Sequence, residues 1–414
     1  MEYLELKESQ PEGIVAASGS KNIALPLIVG SLLGKGITLL ENVPDISDVR
    51  ILLHILGEFH VQIDFKDNHL RLNTEGMSVC EMPFEAIKKL RASYYLLGAL
   101  LPQHPTLTFT YPGGCSFQKR PIDLHFAAIR SFGIDIETDE DVLRFSWKRL
   151  HGGEIDFPLR SVGATINALF LACQVDAVSF IRHPSLDFEV REVIEFLNAK
   201  GAWIEIGRDV LIVHGKMNFY SNRFRIRPDR IEIGTFALIG AGVGKVLILN
   251  TEGADLRALL SFFDRVHIRY TYGKEYLLVR PSPVSEPVHL VLGPDPEMPT
   301  DLGPLLCAFL LLNRKICIIE DTVYPDRNAY VDELKKIGAK IKVVHHQIVI
   351  FPFSHFESSV MEGKDLRGTM SLILAGLISG KPQRISGYGY LIRGYEGILD
   401  KLGNLNVLIR RIEK

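Results

Sequence analysis

One pattern recurs six times along the chain, and it constrains the fold more than any other feature. Each instance has a charged or polar start, a mostly apolar stretch with helical periodicity, and then a short β-rich strand. The instances open at Lys21 (KNIALPLIVGSLLGKGITLLENVP), Arg91 (RASYYLLGALLPQHPTLTFTYPG) and Ser161 (SVGATINALFLACQVDAVSFIRHP). The others open at Ile231 (IEIGTFALIGAGVGKVLILNTE), Asp301 (DLGPLLCAFLLLNRKICIIEDTV) and Arg367 (RGTMSLILAGLISGKPQRISGYG). The starts are roughly 70 residues apart, a period that signals a repeat architecture. A second pattern follows each, an amphipathic helix and then two short strands, as in YVDELKKIGAKIKVVHHQIVIF. Its equivalent strand positions are Ile63, Ile136, Ile204, Ile268, Ile341 and Ile409, and they keep the same spacing.

Each repeat therefore reads as helix, strand, helix, strand, strand. The first helix is apolar nearly all round and is expected inside its domain. The second is amphipathic and is expected outside, with sheets between the two layers, an α/β class. Six such units exceed one core, so three per domain is the economical arrangement. The expected domains are 21–227, carrying the loop around Cys115, and 1–20 plus 228–414, which would line a cleft if they face each other. The polar segment Ser221-Asn222-Arg223-Phe224-Arg225 is the expected crossing point. The leading strand Tyr3–Glu8 should complete a sheet, although the sequence does not say which.

Composition narrows the function. Lys and Arg number 47 against 49 Asp and Glu, a net charge of -2. That balance disfavours a nucleic-acid binder or a polybasic membrane binder. Met1-Glu2-Tyr3-Leu4-Glu5 does not open like a secretory signal. The longest apolar runs, near Ile23–Leu33 and Leu302–Leu312, are too short to span a bilayer. Five scattered cysteines without a C-x-x-C argue against a disulfide framework or zinc site and for a reducing, cytoplasmic setting. His345-His346 reads as a hairpin turn, and Gly240-Ala241-Gly242-Val243-Gly244 ends a helix instead of opening one, unlike a dinucleotide fingerprint.

Cations stand where the apolar helices begin: Lys21, Arg91, Arg160, Arg230 and Arg367. A cation there opposes the helix dipole, so local stability does not explain it. Exposed N–H groups together with a cation make an anion site, best suited to phosphate. Asp229, Asp301 and Asp365 stand at equivalent starts, where an aspartate either caps the helix or serves as a general base. The segment Tyr111-Pro112-Gly113-Gly114-Cys115-Ser116-Phe117-Gln118-Lys119-Arg120-Pro121 reads as a loop. Its neighbouring cations would favour a Cys115 thiolate, suiting a nucleophile or a proton donor. Cys173, Cys307 and Cys317 fall in apolar patterns and read as core, and Cys80 has no evident role.

With these residues in place, the chain resembles the enolpyruvyl transferase family, in particular its UDP-N-acetylglucosamine enolpyruvyl transferases. The resemblance spans nearly the whole chain. It rests on SGSKNIALP, LRAS at Leu90–Ser93, PGGC…RPIDLH at Pro112–His125 and SVGAT at Ser161–Thr165. It continues through PDRIEIGTF at Pro228–Phe236, PTDL at Pro299–Leu302, DLRGTMSLILAGL at Asp365–Leu377 and RGYE at Arg393–Glu396. It implies two domains of three units each, an inside-out α/β barrel or prism, with the active site in the cleft between them.

The resemblance also implies a reaction: the enolpyruvyl group of phosphoenolpyruvate passes to the sugar 3′-hydroxyl and phosphate leaves. Cys115 then protonates the phosphoenolpyruvate methylene and is the target of the phosphonate epoxide fosfomycin. Lys21, Arg120 and Arg393, with Asn22 beside them, surround the phosphate and carboxylate, and Asp301 takes the hydroxyl proton. Arg91, Arg120, Pro121, Ile122, Asp123, Leu124, Ser161, Val162 and Val323 match contacts to the nucleotide sugar. Asp365 and Arg367 match charged residues of the second domain. Where the family has a lysine before SVGAT this chain has Leu159, and Arg160 is its substitute. Gln118 replaces a usual glycine, Leu186-Asp187-Phe188-Glu189 replaces an Arg-Glu-Pro-Glu segment, and the stretches after Asp301 and at Tyr324–Asn328 also differ. No cofactor or metal is expected, the partners are the two small-molecule substrates, and a monomer is compatible with this reading. The rivals are 3-phosphoshikimate carboxyvinyltransferase, which lacks the PGGC loop, and a catalytically silent nucleotide-sugar-binding paralogue.

Overall fold

The computed structural model describes residues 2–113, 122–216 and 218–413. The chain forms two compact units, one of 19–113 and 122–226, the other of 2–18 and 227–413. Each has its own hydrophobic core.

Three core helices run through each unit. In the 19–226 unit they are Lys21–Gly30, Tyr95–Leu100 and Val162–Gln174. In the other they are Arg230–Val243, Gly303–Leu310 and Leu366–Ser379. Every residue of Leu366–Ser379 is buried, as the all-round apolar pattern requires. The following helices, such as Ser47–Glu58, Phe188–Ala199 and Arg257–Arg265, bury one face only. Each unit is thus an inside-out α/β arrangement, with helices at the centre and sheets and outer helices around them.

Five of the six sheets share one strand order. Glu154–Asp156 pairs in parallel with Val178–Arg182, which pairs antiparallel with Val210–His214, and that strand with Trp203–Gly207. The edge strand, just before the core helix, is an addition to the five-element repeat expected from the sequence. Glu154–Asp156 and Val360–Glu362 have three residues each, too few to show alternation. Asn222–Arg225, which falls in the polar segment expected as the crossing point, pairs in parallel with Ile37–Glu41. The sixth sheet, Thr106–Thr110, Val142–Ser146 and Asp135–Asp139, has three strands among the described residues.

Three strands pair outside their own repeat, among them Asn222–Arg225, which precedes Arg230–Val243 but joins Ile37–Glu41. Glu12–Ala16 precedes the core helix Lys21–Gly30 but pairs with Lys245–Leu249 of the 2–18 and 227–413 unit. The leading strand Glu2–Leu6 lies between Gln383–Ser386 and Ile409–Glu413, in the place a hairpin strand holds in the other sheets. Among the described residues the last repeat has no such strand of its own.

The second core helix is shorter than its apolar stretch. It holds only Tyr95–Leu100, flanked by tight turns at Arg91–Tyr94 and Leu101–Gln103. The backbone N–H of Gly98 donates to Asn167 Oδ1 at 2.9 Å. A Cβ at Gly98 would meet the Asn167 carbonyl oxygen at 2.8 Å, so this close helix approach requires glycine.

Candidate functional site

The residues singled out in the sequence fall into two groups, one in each unit. Cys115, Arg120 and Pro121, with Gln118 and Lys119, lie outside the described residues.

In the 2–18 and 227–413 unit, the motif residues converge on a carboxylate between two arginines. Asp229 and Asp365 are helix caps. Asp229 accepts from the N–H groups of Ile231 and Glu232 at 2.8 and 3.3 Å, and Asp365 from those of Arg367 and Gly368, both at 3.0 Å. Asp301 is instead held by side chains. Its Oδ1 accepts from Arg327 Nη1 at 2.8 Å, and its Oδ2 from Arg367 Nε at 3.1 Å. Arg327 also lies 3.6 Å from Asp365.

Both arginine side chains are buried, 4% and 1% exposed, whereas Asp301 is 29% exposed. Burial works against the Arg327 charge, but Asp301 and Asp365 outweigh it and hold the guanidinium above its ordinary value. For Arg367 the same burial is outweighed by Tyr395, Asp301 and Asp229. The Arg367 guanidinium sits 5.1 Å from the centre of the Tyr395 ring, and the Tyr395 hydroxyl lies 2.9 Å from Thr235 Oγ1. PTDL, DLRGT, RGYE and PDRIEIGTF thus meet through Asp301, Arg367, Tyr395 and Thr235. Asp301 is oriented on both oxygens and remains partly exposed. Such a group can accept a proton from an approaching hydroxyl.

Arg327 was absent from the sequence expectations, since its surroundings differ from the family pattern. Nearby, Asp321 Oδ1 accepts from the N–H groups of Val323 and Tyr324 at 2.9 and 2.8 Å and so shapes the exposed turn that carries Val323. Arg393 is half-buried just after the short helix Tyr388–Leu391.

In the 19–226 unit two of the three helix-start cations, Lys21 and Arg160, are met by acids. Lys21 Nζ lies 2.6 Å from Asp48 Oδ2, a buried carboxylate in the first turn of Ser47–Glu58. Arg160 lies 2.9 Å from Asp209 at the exposed surface. A phosphate at Lys21 would share it with Asp48. Asn22 follows in the first turn of the same helix.

Arg91 and the starts of two helices form the rest. The Arg91 guanidinium lies 5.3 Å from the centre of the Tyr94 ring. Ile122 precedes the helix Asp123–Arg130, whose first turn holds Asp123 and Leu124. Ser161 caps Val162–Gln174, its Oγ accepting from Ala164 N–H at 3.3 Å. Burial of Tyr94 pushes its hydroxyl up to about 12.

A family model described as EPSP synthase (3-phosphoshikimate 1-carboxyvinyltransferase) matches residues 7–402. A UDP-N-acetylglucosamine 1-carboxyvinyltransferase of Chlorobium phaeovibrioides is 34% identical over 408 residues, 97% of this chain and 96% of that protein. One from Thermotoga petrophila is 31% identical over 97% of each chain. Among solved structures, the enolpyruvyl transferase NikO from Streptomyces tendae superposes with a TM-score of 0.91 at 20% identity, covering 99% of this chain and 98% of that one. EPSP synthase from Acinetobacter baumannii gives 0.77 at 15% identity, covering all of both chains. The two-unit α/β fold, the full-length family match and the relatives above 30% identity lead to one conclusion: the chain belongs to the EPSP synthase family of enolpyruvyl transferases.

Proposed function

We propose that this protein transfers the enolpyruvyl group of phosphoenolpyruvate to the 3′-hydroxyl of UDP-N-acetylglucosamine and releases inorganic phosphate, the first committed step of peptidoglycan synthesis. The observation that carries this reading is the agreement, along 97% of the chain, with relatives named for that activity. The family model is described by the shikimate reaction, but the Pro112–Cys115 segment favours the sugar nucleotide as acceptor. The proposed setting is the cytoplasm, where both substrates are small and anionic.

The proposed mechanism is addition followed by elimination. A proton adds to the phosphoenolpyruvate methylene, positive charge develops at C2, and the sugar hydroxyl attacks there while its proton passes to a base. A proton then leaves the new methyl group as phosphate departs. Asp301 is the proposed base, since its carboxylate is held on both sides and remains partly open. Cys115 is the proposed acid. Lys21, Arg120 and Arg393 are proposed to hold the phosphate and carboxylate, with Asn22 beside them, and fixed cations there would stabilise charge on the leaving group. Arg91, Arg120–Leu124, Arg160, Ser161, Val162 and Val323 are the proposed nucleotide-sugar contacts. Asp365 and Arg367 serve Asp301, one through Arg327 and one directly.

Phosphate release tests this reading. The protein should release phosphate from phosphoenolpyruvate when UDP-N-acetylglucosamine is added and not when shikimate 3-phosphate is added. Release with the shikimate acceptor would favour the rival transferase. Binding of the sugar nucleotide without release would favour a silent paralogue.

A further inference from the structure

The described segments assigned above to the nucleotide sugar are held together by a side chain assigned no role so far, His125. It follows Leu124 in the first turn of Asp123–Arg130 and is 7% exposed. Its ring lies 5.2 Å from that of Tyr94, inclined at 31°, and Tyr94 carries Arg91 on its own ring. On another side, a Cβ at Gly163 would fall 2.9 Å from His125 Cε1 and 3.0 Å from Nε2. The glycine of SVGAT therefore leaves room for the histidine of RPIDLH.

The ring is also fixed in rotation. His125 Nδ1 lies 2.7 Å from the side-chain amide nitrogen of Asn167, which is fully buried. Asn167 Oδ1 is already committed to Gly98 N–H, so its NH2 must point at the histidine. Nδ1 is then the acceptor and the ring proton sits on Nε2.

Resting on the proposed function, we infer that His125 is a positioning residue for the nucleotide sugar. It sets the mutual placement of Arg91, Ile122–Leu124 and Ser161–Val162 without touching the reacting atoms. The three segments are distant in sequence, and a buried polar ring anchored to Asn167 gives them one shared reference.

Kinetics on variants of the full chain, with calorimetric binding of UDP-N-acetylglucosamine, test the inference. His125→Ala should raise the KM for UDP-N-acetylglucosamine about 10- to 100-fold, with changes under about threefold in kcat and in the KM for phosphoenolpyruvate. His125→Asn, whose Oδ1 can take the place of Nδ1 as acceptor for Asn167, should recover part of that loss. If His125→Ala does not fold, Gly163→Ala gives the same reading, because its methyl displaces the ring while the histidine stays. A nucleotide-sugar KM within about twofold of the parent in Gly163→Ala and in the folded His125 variants, or an equal rise for both substrates, would overturn the inference. A parent that binds no UDP-N-acetylglucosamine would overturn both this inference and the substrate reading. A parent that binds it as well as its variants do would overturn the inference alone.

Discussion

Asp301 stands between two guanidinium groups, and that setting decides what a substitution there does. Asp301→Asn keeps the shape but loses the base, so turnover should fall by about 10²- to 10⁴-fold while binding of UDP-N-acetylglucosamine stays measurable by calorimetry. Turnover within a few-fold of the parent would remove Asp301 from this role. Arg327→Ala should destabilise the protein by about 3–5 kcal/mol in denaturant melts, because it leaves the buried Asp365 carboxylate without its cation. His125 predicts a pH dependence. Burial, assisted by the Arg91 charge, holds its imidazole down at about 4, below the ordinary 6.5. The unfolded chain therefore binds more protons between those values, and stability is lost as pH falls through them. Between pH 7 and pH 5 the parent should lose about 2 kcal/mol more than His125→Asn. Equal losses would contradict a buried neutral ring. At this scale the sequence marked Asp301 and Arg367 by their place at the repeat starts. It could not mark Arg327, Asp48 or Asn167, whose partners are remote in sequence and appear only once the chain is folded.

The six core helices were legible because an all-round apolar stretch has one stable place, and Asp229 and Asp365 were legible as candidate caps at two of their starts. The edge strands were not legible. A three-residue parallel strand has no periodicity of its own, and its partner lies beyond a whole helix. The home of the leading strand was undecided for the same reason, since pairing is a property of the sheet and not of the segment. Leu4 and Leu6 are fully buried on that strand, between Gln383–Ser386 and Ile409–Glu413. Leu4→Asp should therefore cost more than about 4 kcal/mol, by burying an unpaired charge. Ile14→Thr, at a position 53% exposed on the next strand, should change stability by about 0.5 kcal/mol or less. Thermal melts of the two variants check the contrast, and equal effects would place the leading strand elsewhere.

For the whole molecule, the repeat count gave two three-helix units, and each unit has a core made of its own residues. Phe170 and Phe309 are fully buried, one in each. Hydrogen exchange on Phe170→Ala should show lost protection in the helices of 19–226, and on Phe309→Ala in those of 227–413, each at about 3–5 kcal/mol. Protection lost equally throughout the chain would mean one cooperative core. The product of the proposed reaction carries the most direct record of it. With phosphoenolpyruvate and UDP-N-acetylglucosamine in D2O, NMR of the product should show an enolpyruvyl ether at the sugar 3′ position and one phosphate released per ether. Deuterium should appear at the vinyl carbon, because addition and elimination pass through a methyl group. Sugar nucleotide recovered unchanged, or an enolpyruvyl group found only on shikimate 3-phosphate when that acceptor is supplied, would contradict the account.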